Sequence, residues 1–129
     1  MTDILKQQVG GRTKFLEVVD VQINKETSRE GVEGEKAALI CNFNGTHRFK
    51  VDEMLLHDRN GNLHATGLWV NTNADGSHKD TSAIARILRY YGAPTLEDLV
   101  GKTVRTLPKK SNYLALAAND EVTEEALPW

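Results

Sequence analysis

Residues 37 to 51 read Ala37-Ala38-Leu39-Ile40-Cys41-Asn42-Phe43-Asn44-Gly45-Thr46-His47-Arg48-Phe49-Lys50-Val51. Two strand-prone runs flank an Asn-Gly pair. Both residues of that pair tolerate positive φ, so the pattern predicts a tight type I′ hairpin. A second pair, Asn60-Gly61, separates Met54-Leu55-Leu56-His57 from Leu63-His64-Ala65-Thr66-Gly67-Leu68-Trp69-Val70 and predicts another hairpin. Upstream, Val19, Val21 and Ile23 alternate with Asp20 and Gln22, which marks a half-buried strand within residues 13–24. A polar loop over residues 25–35, broken by Gly31 and Gly34, joins that strand to the first hairpin.

Beyond the second hairpin, residues 71–79 are dense in Asn, Asp, Gly and Ser and read as a loop. A helix is predicted next. Asp80 or Thr81 can cap it, residues 83–91 continue it, and Gly92 suits the left-handed position that ends a helix. Ile84, Ile87, Leu88 and Tyr91 recur at helical spacing and share a face, whereas Arg86, Arg89 and Tyr90 point elsewhere. Pro94-Thr95-Leu96-Glu97-Asp98-Leu99 signals a short second helix, with Thr95 and Asp98 as a capping-box variant and Gly101 as its stop. Residues 102–107 and 112–117 read as the last two strands, joined by Pro108-Lys109-Lys110-Ser111.

The order is three strands (with an extra hairpin), a helix and two strands. It predicts a mainly β, α+β fold: an OB-like five-stranded antiparallel barrel with the helix between strands three and four. Other small α+β and partly open β-barrel folds share that order, and one fold hosts many activities. The expected organisation is a flexible N-terminal arm at residues 1–12, an OB-like domain at 13–118 and an acidic C-terminal tail at 119–129.

The chain has 129 residues, 40% apolar and 26% charged, which suits one domain with a real core. No apolar run approaches the roughly 20 residues needed to span a bilayer, so no membrane partner is expected. The N-terminus lacks a signal-peptide pattern, and the single cysteine, Cys41, permits no intrachain disulfide. A cytoplasmic location is expected, with the host cytoplasm as its viral equivalent. The net charge of −2 hides a polarity: four of the 18 acids lie in the tail, leaving 16 bases against 14 acids before it. A mildly basic body with an acidic tail suits a modest polyanion binder, although charge alone does not establish one.

Enzyme signatures are missing: there is no phosphate-cradling Gly-rich loop, no Gly-x-Ser-x-Gly and no His-Glu-x-x-His. Cys41 sits among Leu39, Ile40 and Phe43 and reads as a small core residue. His57 and His64 are placed to face each other across the second hairpin, but two ligands do not make a zinc site. Asp58-Arg59-Asn60-Gly61-Asn62 lacks the alternating acids of a calcium loop and reads as a turn. No cofactor, metal or catalytic residue is expected.

Single-strand binders need aromatic faces for bases and cations for phosphates. Arg48, Phe49 and Lys50 interleave the two, with Arg48 and Lys50 on one strand face and Phe49 on the other. Phe43 and Phe49 also read as core, given how often Phe is buried. Trp69, between Leu68 and Val70, carries the same two readings. Tyr113, beside Lys109 and Lys110 in the loop joining the last strands, is the better stacking candidate, and Arg105 lies on the adjoining strand. A solvated turn is the other reading of Lys109-Lys110.

The chain closes Asn119-Asp120-Glu121-Val122-Thr123-Glu124-Glu125-Ala126-Leu127-Pro128-Trp129. Four carboxylates and no base precede an aliphatic residue, Pro and an aromatic. This resembles the tail of the bacterial single-stranded-DNA-binding proteins, with Trp129 where that family usually has Phe. The resemblance covers the tail alone. It implies that Leu127, Pro128 and Trp129 recruit replication and repair proteins and that the acids compete with DNA for the basic groove. A tail whose Trp packs on its own domain is the other reading. The stretch Leu96-Glu97-Asp98-Leu99-Val100-Gly101-Lys102-Thr103-Val104 is similar to small phage and archaeal proteins, where a helix and such a segment feed the closing strands of a barrel.

Together these features predict sequence-tolerant single-stranded DNA binding, with RNA as a possible ligand, in replication, recombination or repair. Arg48, Phe49, Lys50, Trp69, Arg105, Lys109, Lys110 and Tyr113 are the expected contacts, and homo-oligomers are compatible with the sequence. The alternative is a non-enzymatic protein–protein interaction module of viral or accessory origin that binds no nucleic acid.

Overall fold

A computed structural model of the chain describes residues 12–111 and 113–129. The expected N-terminal arm therefore lies, apart from Arg12, outside the described residues. Seven strands form one sheet: β1 (Lys14–Thr27), β2 (Glu33–Phe43), β3 (His47–Val51), β4 (Glu53–His57), β5 (Leu63–Gly67), β6 (Thr103–Pro108) and β7 (Leu114–Ala117). Among the described residues one α-helix, α1 (Ala83–Tyr91), stands between β5 and β6, so the mainly β, α+β class holds.

The five-stranded closed antiparallel barrel does not. The ladder runs β3-β2-β1-β6-β7-β4-β5 as an open sheet, and β4 pairs with β7 in parallel. Two local causes add strands. Asp52 interrupts the run that Phe49 and Leu55 would otherwise share, giving β3 and β4 as separate pieces. The hairpin at Asn60-Gly61 then adds β5 as an edge strand on β4.

Both Asn-Gly pairs make turns, by different means. Asn44 and Gly45 both have positive φ (54° and 72°), as a type I′ turn requires, but Phe43 pairs with His47, so Thr46 joins the loop. At the second hairpin His57 pairs with Leu63 across residues 58–62. There the Asp58 carboxylate accepts from the Asn60 and Asn62 amides at 2.8 and 3.0 Å, and only Gly61 takes positive φ. This register pairs His64 with Leu56 and His57 with Leu63. The two histidines consequently lie on opposite faces and do not face each other.

Helix α1 begins at Ser82, whose hydroxyl accepts from the Ala85 amide at 3.1 Å; the cap is neither Asp80 nor Thr81. It ends at Gly92 in the left-handed conformation, φ 67°. Ile84, Ile87 and Leu88 are buried, Tyr91 is half-buried, and Arg86, Arg89 and Tyr90 are exposed, as the apolar stripe predicts. The Tyr91 hydroxyl accepts from the Arg105 amide at 3.0 Å and donates to the Ala117 carbonyl, which ties the helix to β6 and β7. The second helix is a single 3-10 turn, Glu97–Leu99, with Thr95 and Asp98 exchanging the expected capping bonds.

Two cores result from strand alternation. The larger joins Leu16, Val18, Leu39, Val51, Met54, Val104 and Leu116 to the apolar face of α1. The smaller lies on the other face of the same strands: Leu55 of β4, Leu107 of β6, and Ala115 and Ala117 of β7. Its cover is the C-terminal segment. Val122 is fully buried there, and Leu127 and Trp129 pack against it. The tail expected as a free acidic arm is thus part of the packed structure.

Candidate nucleic-acid interface

Two of the expected contacts meet at a cleft of about 520 Å³. Its walls are the β1–β2 turn around Arg29, the start of β4 and the end of β5, and Lys109 contributes from the β6–β7 loop. Trp69 reaches it because the chain leaves β5 and bridges to β2. Ala37 donates to the Leu68 carbonyl and Val70 to the Glu35 carbonyl, each at 2.8 Å. Leu68 then points into the core, and alternation turns Trp69 outward.

Glycine makes room for the indole. A Cβ on Gly67 would sit 2.6 Å from Trp69 Nε1 and 2.8 Å from Lys36 Cε, and one on Gly34 would sit 3.3 Å from the ring. The ring and the Lys36 stem fill that space together. Lys36 Nζ stands 5.4 Å from the centre of the Trp69 ring and 3.5 Å from the Asp52 carboxylate. The arrangement repeats at the other wall. Lys109 Nζ pairs with the Glu53 carboxylate and stands 5.7 Å from the centre of the Tyr113 ring. The Lys109 amide donates to the Tyr113 carbonyl at 2.7 Å, which closes the loop and sets the two side chains together. Tyr113 is 73% exposed.

The remaining expected contacts lie elsewhere. Arg48 and Lys50 are exposed on β3, opposite Asn42 and Ile40 of β2. Phe49 turns the other way and is half-buried against the main core, as is Phe43, whose ring lies beneath Lys14 at 4.9 Å. Both rings therefore serve packing. Arg105 is spent on the tail: its guanidinium donates to the Asn119 carbonyl at 3.1 Å and to that of Val122. Lys110 is exposed in the turn. The basic residues do not converge on one groove.

The three tail residues are placed by the domain itself. Trp129 Nε1 donates to the Pro108 carbonyl at 2.8 Å, and the Arg12 guanidinium donates to the Trp129 backbone oxygen. Glu124 accepts from the Thr13 amide at 3.0 Å and from that of Arg12. The Tyr90 hydroxyl donates to Asp120 at 2.6 Å. Leu127 is half-buried and Pro128 is exposed.

Sequence reading missed Lys36, Asp52 and Glu53. The available signal was Gly67-x-Trp69: residues two apart share a strand face, and a glycine beside a tryptophan marks where the ring lies flat. The chemistry of the site is that of contact and charge. Burial pushes the Cys41 thiol up to about 12, which keeps it protonated and poorly nucleophilic. Among the described residues, no three His, Cys, Asp or Glu side chains come together as a metal site would require, and no helix is long and apolar enough to cross a membrane.

No family model matches the chain, and neither the curated proteins nor the solved structures yield a match.

Proposed function

We propose that the protein binds single-stranded DNA without strong sequence preference, and that it does so at the cleft between Trp69 and Tyr113. The carrying observation is Tyr113: a large aromatic ring 73% exposed, held against a lysine at the rim of a cleft that contains a second ring–lysine pair. Surface rings of this kind stack bases, and the lysines and Arg29 meet phosphates. No catalytic group is assigned, and a binding role in replication, recombination or repair follows from the same reading.

The sheet supports this reading if β3 and β4 are taken as one strand broken at Asp52. The neighbours β1, β2, β3–β4, β7 and β6 then match the strand order of an OB-fold, within an open sheet, with α1 between the third and fourth in sequence. The cleft falls between the loop joining the first two strands and the loop joining the last two, the ligand side of that fold. The extra strand β5 is an addition at the rim.

Partner recruitment by Leu127, Pro128 and Trp129 requires the tail to leave the small core, since of the three only Pro128 is exposed. A protein-binding module is the second reading, favoured by the pairing of both cleft lysines with carboxylates. Fluorescence anisotropy with a labelled single-stranded oligonucleotide and a duplex of equal length separates the two. Tighter single-strand binding that weakens with salt is expected. Equal affinity for both forms with no salt dependence would favour the protein-binding module.

A further inference from the structure

Asp52 and Glu53 are consecutive residues at the break between β3 and β4, yet they reach different lysines on different elements. Asp52 holds Lys36 of β2, and Glu53 holds Lys109 beyond β6. Each lysine in turn stands over an aromatic ring, Trp69 or Tyr113. Two like sets therefore border the cleft, each a carboxylate, an ammonium and a ring, with Lys36, Glu53, Trp69 and Lys109 in its lining. The four charged side chains are mostly shielded, with side-chain exposures of 13 and 27% in one pair and 20 and 23% in the other. Partial burial makes each pair firmer than an exposed one and makes an unpaired partner costlier.

We propose that Asp52 and Glu53 are resident anions of the cleft: they occupy the places of two phosphates, and a single strand binds by displacing them from Lys36 and Lys109. This rests on the single-strand reading above. A strand that enters with its bases on Trp69 and Tyr113 brings a phosphate to each ammonium. The carboxylates must then turn to solvent, which costs affinity. The same displacement explains how a cleft lined with as many acids as bases can still take a polyanion. It also sets a floor under selectivity: an anion that offers no nucleobase, such as inorganic phosphate or the sulfates of heparin, replaces the ion pair without gaining the stacking.

Displacement has a signature beyond affinity. The condensed cations sit on the strand, and each phosphate that meets a lysine releases its own; a carboxylate displaced from that lysine stays beside the phosphate and takes up a cation, which offsets the release and flattens the salt dependence. Asp52→Asn with Glu53→Gln removes both anions while keeping side-chain shape. Binding of a labelled oligothymidylate to this double variant, measured by anisotropy from low to moderate salt, is expected to be about three- to tenfold tighter than wild type. The slope of log K against log salt is expected to steepen by up to about 1.4, the full release for two phosphate contacts on a single strand, as no displaced carboxylate is left to take up cations. Glu97→Gln with Glu125→Gln, two exposed acids away from the cleft, changes net charge equally and serves as the control.

Tighter binding with a steeper slope in the double variant, and not in the control, supports the proposal; where wild type binds too weakly to give a slope, binding gained in the double variant and not in the control does so. If control and double variant tighten alike, net charge is the cause and the proposal falls. If wild type and double variant bind alike, with affinity still lost in Tyr113→Ala, the displacement fails and the cleft reading stands. If neither protein binds, both fail. A thermal melt of each variant shows whether it is folded. Should the double variant not fold, Glu53→Gln alone, with half the slope change expected, decides the same question.

Discussion

Val122 offers the sharpest test of how the tail is held. It lies amid an acidic stretch, yet it is fully buried against Leu55, Leu107, Ala115 and Ala117. Val122→Ala removes two methyl groups from that site. At about 0.8 kcal/mol for each buried group the transfer loss is roughly 1.6 kcal/mol. An unfilled gap adds to it, so the total is about 2 kcal/mol. For a chain of this size 1 kcal/mol moves Tm by roughly 3–5 °C, so a fall of about 6–10 °C is expected. Differential scanning calorimetry measures it, with Glu121→Ala as the control. Glu121 is the neighbouring residue, exposed, and its loss should change stability by no more than about 0.5 kcal/mol. Trp129→Phe keeps an apolar ring and loses the bond to the Pro108 carbonyl, at a cost of about 1 kcal/mol. A Val122→Ala melt within about 1 °C of wild type would mean that the tail contributes nothing to the fold, on the same size scaling.

Three further outcomes are expected. Tyr113→Ala should lose about 1–3 kcal/mol of oligonucleotide binding by anisotropy, and an exposed ring should leave Tm unchanged. Leu88→Ala, in the apolar face of α1 and 7% exposed, should cost about 2–5 kcal/mol in urea denaturation. Stability should also fall at alkaline pH. Burial lifts Cys41 from 9.0 to about 12 and is the main cause that lifts Tyr91 from 10.0 to about 12, opposed by its bond with Arg105. Between those values the unfolded chain releases protons that the folded one retains. The contribution of these groups is therefore complete below about pH 9 and is lost as pH rises toward 12, readable as a falling urea midpoint.

The elements were legible where one residue type settles local geometry. Gly92 and the stripe Ile84-Ile87-Leu88-Tyr91 fix α1 within its sequence-read limits. Asn44-Gly45 fixes a turn, though not that Thr46 would join the loop. The sheet was less legible, because pairing between distant strands leaves no local mark. Nothing in Asp52 announces that it divides one strand into two. The site followed the same rule. Tyr113 could be placed from its loop, whereas Lys36, Asp52 and Glu53 are brought to the cleft by long-range contacts: the bridge between residues 36 and 69, the Leu68 amide on the Asp52 carbonyl and the pairing of Glu53 with Lys109.

The position of the tail was written in the sequence, but not in the tail. Composition says that residues 119–129 cannot fold alone. It does not follow that they stay free, because the deciding question is what needs covering. Strand β7 reads Leu114-Ala115-Leu116-Ala117, apolar on both faces, and Met54-Leu55 of β4 is apolar on both faces as well. One face of each strand meets α1 and the main core. With one α-helix among the described residues, and that on the main core, the other face is covered by the C-terminal segment. An apolar face left open would promote association, so the requirement lies with the sheet. The same logic accounts for Arg105. It shares a strand face with Leu107, which is covered by the tail, so its guanidinium caps tail carbonyls and is withdrawn from any phosphate. The tail thus takes one cation of the body, Arg105, out of reach of any external anion, while Lys36 and Lys109 remain in the cleft.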